Sequence, residues 1–232
     1  MNSKITKAIA IDGPSGAGKS TVARLVAKKL GFQYIDTGAM YRGVTLKALM
    51  LDVDVKDEKA LTDLAANCII NLVDIDEVSK IFLDGKDVSA EIRGTEVTEN
   101  VSQACSYIGV REAMVEQQRA MAASRNVVMD GRDIGTHVLP NALLKIYLTA
   151  SAEERGRRRF EEWQQKHIGN LTLNEVIEDL NRRDHLDSTR KINPLKQGED
   201  AILLNSDGME AEDVADAIIS LWKGKEQQCF TE

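Results

Sequence analysis

The first residues in this chain whose types and spacing could do chemistry are IDGPSGAGKST, Ile11 to Thr21. Gly13-x-x-x-x-Gly18-Lys19-Ser20 is the spacing of a loop that cradles phosphates. Glycines let backbone N–H groups converge on phosphate oxygens with no Cβ in the way. A helix opening straight after the loop would add its dipole and its unbonded first-turn amides to the same anion. Gly13, Pro14, Ser15, Gly16, Ala17, Gly18, Lys19, Ser20 and Thr21 are therefore expected to hold a nucleoside triphosphate. Lys19 would reach its β- and γ-phosphates, and the Ser20 hydroxyl would help hold Mg²⁺.

Such a loop can serve a switch, a bare binding module or a transferase. Regulatory GTPases also need a D-x-x-G turn and an [NT]-K-x-D element, and neither pattern occurs in the sequence. Transfer needs positive charge around the migrating phosphoryl group and a site that excludes water. EERGRRRF supplies Arg155, Arg157, Arg158 and Arg159 at one helix start. Those arginines could form a cationic lid that orders on substrate. Any single one of them could instead be a solvated surface residue, since Glu153, Glu154, Glu161 and Glu162 are at hand to pair with it.

Three further segments could carry an acceptor. Asp36-Thr37-Gly38 ends a strand and opens a helix, which places Thr37 and the first amides where an anion could sit. Arg42, one turn further, could grip a monophosphate in bidentate fashion. Asp130 ends the run Val127-Val128-Met129, at the strand edge where ligands of open α/β sheets gather, and is a candidate indirect partner of Mg²⁺. Arg132 and Asp133 project beyond it. Arg183, Asp187 and Arg190 fall at i, i+4 and i+7 on one helical stripe, a spacing that also suits a plain intrahelical salt-bridge ladder.

The elements that must position these residues follow an α/β alternation with a mostly parallel sheet. Strands are expected at Ala8 to Ile11, at FQYID, NVVMD and ALLKIYL, and at Ala201 to Ser206. A helix carries Val22, Leu25, Val26 and Leu30 and stops at Gly31; a second runs from Gly38 to Leu51, and the last from about Ala211 to Trp222. Between about Asn67 and Arg93 the sequence turns strand-like around Asp84-Gly85, a type I′ hairpin signal. Ser151-x-x-Glu154 and Thr172-x-x-Glu175 read as capping boxes of two helices. One unit is expected over residues 1–232, with a β-rich insertion at about 67–97 and a lid with nucleotide-contacting helices at about 151–190. The QQCFTE tail is expected to fray.

Composition narrows the partners. At 232 residues the chain is long enough for one well-cored unit and short for two independent ones. A net charge of −7 and 4% aromatics argue against a nucleic-acid polymer as partner. Cys68, Cys105 and Cys229 are far apart and odd in number, so free thiols in a reducing, cytoplasmic setting are expected. No apolar run nears the roughly 18 residues of a membrane span, and a monomer is the default. His137, His167 and His185 fit no ligand or triad spacing.

DTGAMYR (Asp36 to Arg42), DGRDIGT (Asp130 to Thr136) and RRDHLDSTRKINPL (Arg182 to Leu195) follow the loop in that order. Together with the strand-rich insertion they make the chain similar, over essentially its whole length, to the bacterial cytidylate kinases, which are P-loop nucleoside-monophosphate kinases. The resemblance implies that fold, with a sheet of about five parallel strands, a small antiparallel insertion and a helical lid. It implies transfer of the γ-phosphoryl group of ATP to CMP or dCMP, with Mg²⁺. Acceptor-binding positions then fall on Thr37, Tyr41, Arg42, Ser102, Arg111, Asp130, Arg132, Asp133, Arg183, Asp187 and Arg190. Of these, Ser102, Arg111 and Asp133 would read cytosine, and Arg183, Asp187 and Arg190 would face sugar and phosphates. Lys19, Arg132, Arg155, Arg157, Arg158 and Arg159 would neutralise the migrating charge. Thr37 stands where Ser is expected, and Ser20 where relatives can carry Gly. Two other readings stay open: a P-loop kinase of a hydroxyl metabolite such as shikimate, which would need a carboxylate base such as Asp36 or Asp133, and a non-catalytic ATP-binding module.

Overall fold

The computed structural model describes residues 7–75, 78–165 and 172–229. Along the chain come β1 (Ala8–Asp12), α1 (Lys19–Leu30), β2 (Gln33–Asp36), α2 (Thr37–Met50) and α3 (Glu58–Ala66). Next are β3 (Ile70–Ile75), β4 (Val78–Leu83), β5 (Lys86–Asp87), α4 (Thr95–Ala104) and α5 (Ile108–Ala123). The last part holds β6 (Val127–Gly131), β7 (Leu144–Thr149), α6 (Ala152–Gln165), α7 (Leu173–Thr189), β8 (Ile202–Asn205) and α8 (Ala211–Cys229). Two compact units result: Met1–Gln33 with Asn126–Glu232, and Tyr34–Arg125.

The larger sheet has five strands in the order β2-β6-β1-β7-β8, and β1 lies parallel to both β6 and β7. Ile9, Ile11, Val128, Met129, Ile146 and Leu148 are all buried, as continuous apolar runs must be when both sheet faces are covered. On this unit α1 packs against α8 and α6 against α7. Phe32 meets Trp222 edge-on, with ring centroids 5.3 Å apart, just beyond the Gly31 cap that ends α1. The last helix does not stop at Trp222: α8 continues to Cys229, so the expected fraying of QQC is corrected, while the last three residues of that tail lie outside the described residues.

The second unit holds the antiparallel sheet β3-β4-β5. Asp84 and Gly85 both take positive φ, 50° and 86°, as the turn between β4 and β5 requires. Asp36 and Asp57 cap α2 and α3 by accepting from the third amide along, Ala39 at 2.8 Å and Ala60 at 3.0 Å. Here α3 packs on α5 so closely that a Cβ on Gly109 would lie 2.2 Å from a Thr62 methyl. Helices α3, α4 and α5 were not marked by the sequence patterns.

Candidate active site

β1 ends at Asp12, and its chain then makes the glycine loop. Gly13, at φ 152°, passes so close to β7 that a Cβ would sit 1.9 Å from the Leu148 carbonyl oxygen, so only glycine fits. Gly18 precedes α1 in the left-handed region, and neither a capping side chain nor an acidic first-turn residue occupies that helix start. Those amides are left for an anion. Lys19 is buried, with its ammonium donating to the Pro14 carbonyl at 2.7 Å. Burial, with Arg132 as a like-charged neighbour, brings it down to about 7 against the pull of Asp130, Asp184 and Asp12.

Around the loop the first unit gathers a connected set of charges. Arg132 donates from Nε to Asp187 Oδ2 at 2.8 Å and from Nη2 to Ser15 Oγ at 2.8 Å. Ser20 Oγ donates to Asp130 Oδ2 at 3.1 Å. Burial alone would lower the Arg132 pKa, but Asp187, Asp184 and Asp130 outweigh it and hold it above its ordinary value. Burial would likewise raise Asp187, yet Arg132, Arg190 and Arg183 keep its carboxyl below the usual range.

The stripe on α7 is not an intrahelical ladder. Asp187 bonds across to Arg132, while Arg183 is buried and its Nε and Nη1 have no hydrogen-bond partner among the described residues. Burial, then Arg132 and Arg159, depress the Arg183 pKa. Arg190 keeps one loose local ion pair, its Nη1 3.9 Å from Asp187 Oδ1, but stands outside the helix. The helix ends at Thr189, and Arg190 is its extended C-cap, at φ −60° and ψ 143°. Its guanidinium bonds the Asn193 carbonyl and reaches Asp133 Oδ1 at 3.2 Å.

Among the helix-start arginines the structure separates roles. Arg155 is buried and donates to the carbonyls of Ala150 and Ser15, at 3.1 and 2.8 Å. Arg158 bonds Glu154 and both the hydroxyl and the carbonyl of Ser206. Arg159 pairs with Glu162 and lies 5.9 Å from the centre of the Trp163 ring. Arg157, half exposed, is held by Glu154 and Glu161. Thr172 and Glu175 form the full capping box, but the Ser151 box is only half made. Glu154 is drawn off to the arginines, and the Ser151 amide donates to Asp207 instead.

On the second unit Thr37 opens α2 and is buried. Arg42 donates to Thr98 Oγ1 at 2.9 Å. The buried Arg111 guanidinium lies 5.3 Å from the Tyr41 ring centre and donates to the Cys105 carbonyl at 3.3 Å. Ser102 is half-buried on α4.

Two carboxylates in the first unit escaped sequence reasoning. Asp12 accepts from the amides of Ile134 and Gly135, both at 2.8 Å, and so caps the one-turn π-helix Ile134–Val138. Burial pushes its carboxyl up to about 6 against those two amides. Asp184 accepts from the Ser15 amide at 2.8 Å and pairs with Arg155. Their signal was weak: each is one aspartate among many, and only tertiary contact distinguishes it.

Among the described residues no group of three or more His, Cys, Asp or Glu side chains is set to hold a metal. The Ser20–Asp130 pair nevertheless offers hard oxygen donors of the kind Mg²⁺ takes beside phosphates. Among the described residues neither Cys68 nor Cys105 is in a disulfide. His167 lies outside the described residues, and among those residues no helix is long and apolar enough to cross a membrane.

Comparison with known proteins adds sequence to this geometry. A family model described as cytidylate kinase matches residues 9–224. The chain is 52% identical over 222 residues to a cytidylate kinase of Desulforamulus reducens, covering 94% of this chain and 98% of that protein. It is 49% identical over 217 residues to a cytidylate kinase of Lysinibacillus sphaericus, covering 94% and 96%. Among solved structures, a protein of Eubacterium ventriosum matches with a TM-score of 0.50 over 94% of this chain and 99% of that one, at 12% identity, a likeness of fold alone.

Proposed function

This chain belongs to the cytidylate kinase family, and from that premise we propose that it transfers the γ-phosphoryl group of ATP in line to the 5′-phosphate of CMP or dCMP. The observation that carries the reading is the family match across residues 9–224, on a chain whose phosphate loop is formed and whose first helix turn is left uncapped. The kinase of a hydroxyl metabolite and the bare ATP-binding module are not favoured by that match.

The acceptor phosphate has a second pKa of about 6, so its oxygen is largely ionised at neutral pH. No general base is required, only positioning and charge neutralisation. Gly13 to Thr21 hold the donor phosphates. Lys19 leaves Pro14 for the β- and γ-oxygens, and Arg132, already fixed by Ser15 and Asp187, meets the charge developing between donor and acceptor. Arg157, Arg158 and Arg159 add to that positive field, while the charge of Arg155 is offset by Asp184. Mg²⁺, held by Ser20 with Asp130 behind it, would neutralise the β- and γ-oxygens when bound.

Acceptor contacts are assigned on each unit by itself. On the second, Thr37, Tyr41 and Arg42 take the monophosphate end, while Ser102 and Arg111 donate to cytosine O2 and N3. On the first, Asp133 accepts from the 4-amino group, and Arg183, Asp187 and Arg190 face sugar and phosphates, with Asp130 beside the metal. The unbonded Nε and Nη1 of Arg183 support this, because buried guanidinium N–H groups left unpaired are costly until a ligand supplies acceptors. Uracil would turn its O4 toward Asp133 and be rejected.

The test is acceptor-dependent ADP release from MgATP with CMP, dCMP, UMP, AMP and shikimate in parallel. Turnover with CMP and dCMP well above the others is expected; turnover with shikimate alone would end the nucleotide reading.

A further inference from the structure

Besides the phosphate-binding groups, the donor loop is held by a carboxylate that takes no part in the transfer itself. Asp184, on α7, accepts the Ser15 amide at 2.8 Å through one oxygen and pairs with Arg155 through the other. Arg155, on α6, holds the opposite side of the same residue by donating to its carbonyl at 2.8 Å, and its Nε is fixed on the Ala150 carbonyl at 3.1 Å. Ser15 itself is 3% exposed, and its hydroxyl takes Arg132. The next residue is gripped by packing. A Cβ on Gly16 would lie 3.1 Å from both Cβ and the carbonyl oxygen of Arg155 and 3.4 Å from Leu180 Cδ1. Leu180 is buried one turn before Asp184 on α7. Two helices distant in sequence thus converge on two consecutive loop residues.

A carboxylate beside a polyphosphate site repels its ligand unless the charge is cancelled and something is gained in return. Arg155 cancels the charge here. The gain is geometric, since a glycine-rich loop has many conformations to lose and binding to a loop already in shape avoids that cost. The first-turn amides of α1 remain uncapped, so the hold on Ser15 does not consume them.

We infer that Asp184, with Arg155, is a positioning pair for the donor site, which fixes the Ser15 peptide so that the phosphate loop is preformed against α6 and α7. The inference rests on reading that loop as the ATP site. It differs in sign from the other role open to a carboxylate there, a stand-in anion that ATP must displace.

Steady-state kinetics with ATP and CMP varied separately, joined to calorimetric MgATP binding, tests the pair in Asp184→Ala, Asp184→Asn and Arg155→Lys. Truncating a hydrogen-bonded carboxylate in Asp184→Ala is expected to raise KM and Kd for ATP about ten-fold or more. Asp184→Asn should fall between, because its amide oxygen still accepts from Ser15, and KM for CMP should stay within about two-fold. Arg155→Lys should follow Asp184→Asn, since an ammonium cannot span both carbonyls and the carboxylate. Unchanged or tighter ATP binding would overturn the inference, the latter in favour of the displaced anion, and so would equal rises in both KM values. If Asp184→Ala does not fold, the near-isosteric Asp184→Asn carries the test. Wild-type protein that binds ATP but does not phosphorylate CMP would sink the acceptor assignment alone, because the calorimetric ordering would still judge the pair.

Discussion

Lys19 carries a pH dependence that can be worked out before any measurement. Its ammonium is buried with one carbonyl partner, Pro14, at 2.7 Å, and with Arg132 as a like-charged neighbour. The fall from 10.5 to about 7 corresponds to roughly 5 kcal/mol against the charged form. Only the ammonium can neutralise phosphate, and it is the form present below that value. The free enzyme should therefore lose competence for ATP as pH rises through about 7. Because kcat/KM reports the free enzyme, kcat/KM for ATP is expected to drop about ten-fold per pH unit above the break, on the order of 100-fold by pH 9. Once ATP is bound, its phosphates supply the anionic partners that burial withholds and raise the lysine again. So kcat at saturating ATP should stay nearly level over the same range. Measuring ADP release at saturating CMP, across ATP concentrations from pH 6 to 9, separates the two constants. If kcat/KM for ATP is flat across that range, the ammonium is not held at the edge of neutrality and the electrostatic account of the loop is wrong.

Three further outcomes follow from single contacts. Asp12→Asn should change how stability depends on pH: with a folded value of about 6 against 3.8, wild type binds a proton on folding between those values and gains stability as pH falls through them. The gain is up to about 3 kcal/mol, so urea midpoints of wild type and variant should diverge between pH 7 and 4.5, and parallel curves would contradict it. Gly156→Ala places a Cβ 2.3 Å from Ile177 Cγ1, where α6 meets α7. Overpacking of that kind costs about 1–3 kcal/mol, to be read from thermal or urea melts. Asp133→Asn can offer its carbonyl to cytosine or its amino group to uracil, so the CMP-to-UMP ratio of kcat/KM should narrow by about ten-fold or more; an unchanged ratio would remove Asp133 from base reading.

The parts of this fold that were legible in the sequence are those whose cause is local. Gly31 ends α1 because its left-handed conformation closes the last turn, and Thr172 with Glu175 starts α7 because each satisfies the other's amide. Asp84 and Gly85 turn the chain because both accept positive φ. The phosphate loop was legible for the same reason, since its glycines are needed within the loop itself. Helices α3 and α5 were not, although both are regular. The seam between them is set by close approach at Gly109 and Thr62, which no periodicity displays.

Charge was legible as inventory but not as wiring. The arginines and aspartates of the site are all plain in the sequence, and helical spacing pairs Arg183 with Asp187 by default. The structure instead gives Asp187 to Arg132 and leaves Arg183 buried with two unbonded nitrogens. The reason is register rather than propensity. β1 and β6 run in step to Asp12 and Gly131, so the residues just beyond both strands emerge together, and α7 lies where its carboxylates can reach them. One step further, Asp12 clasps the amides of Ile134 and Gly135 and thereby fixes the segment that carries Arg132 and Asp133. A local rule cannot find such a partner, because the choice is made by which strand ends side by side. The cost of leaving a buried charge unpaired then holds that choice in place. At Arg183, buried with Nε and Nη1 unbonded among the described residues, part of that cost stays unmet.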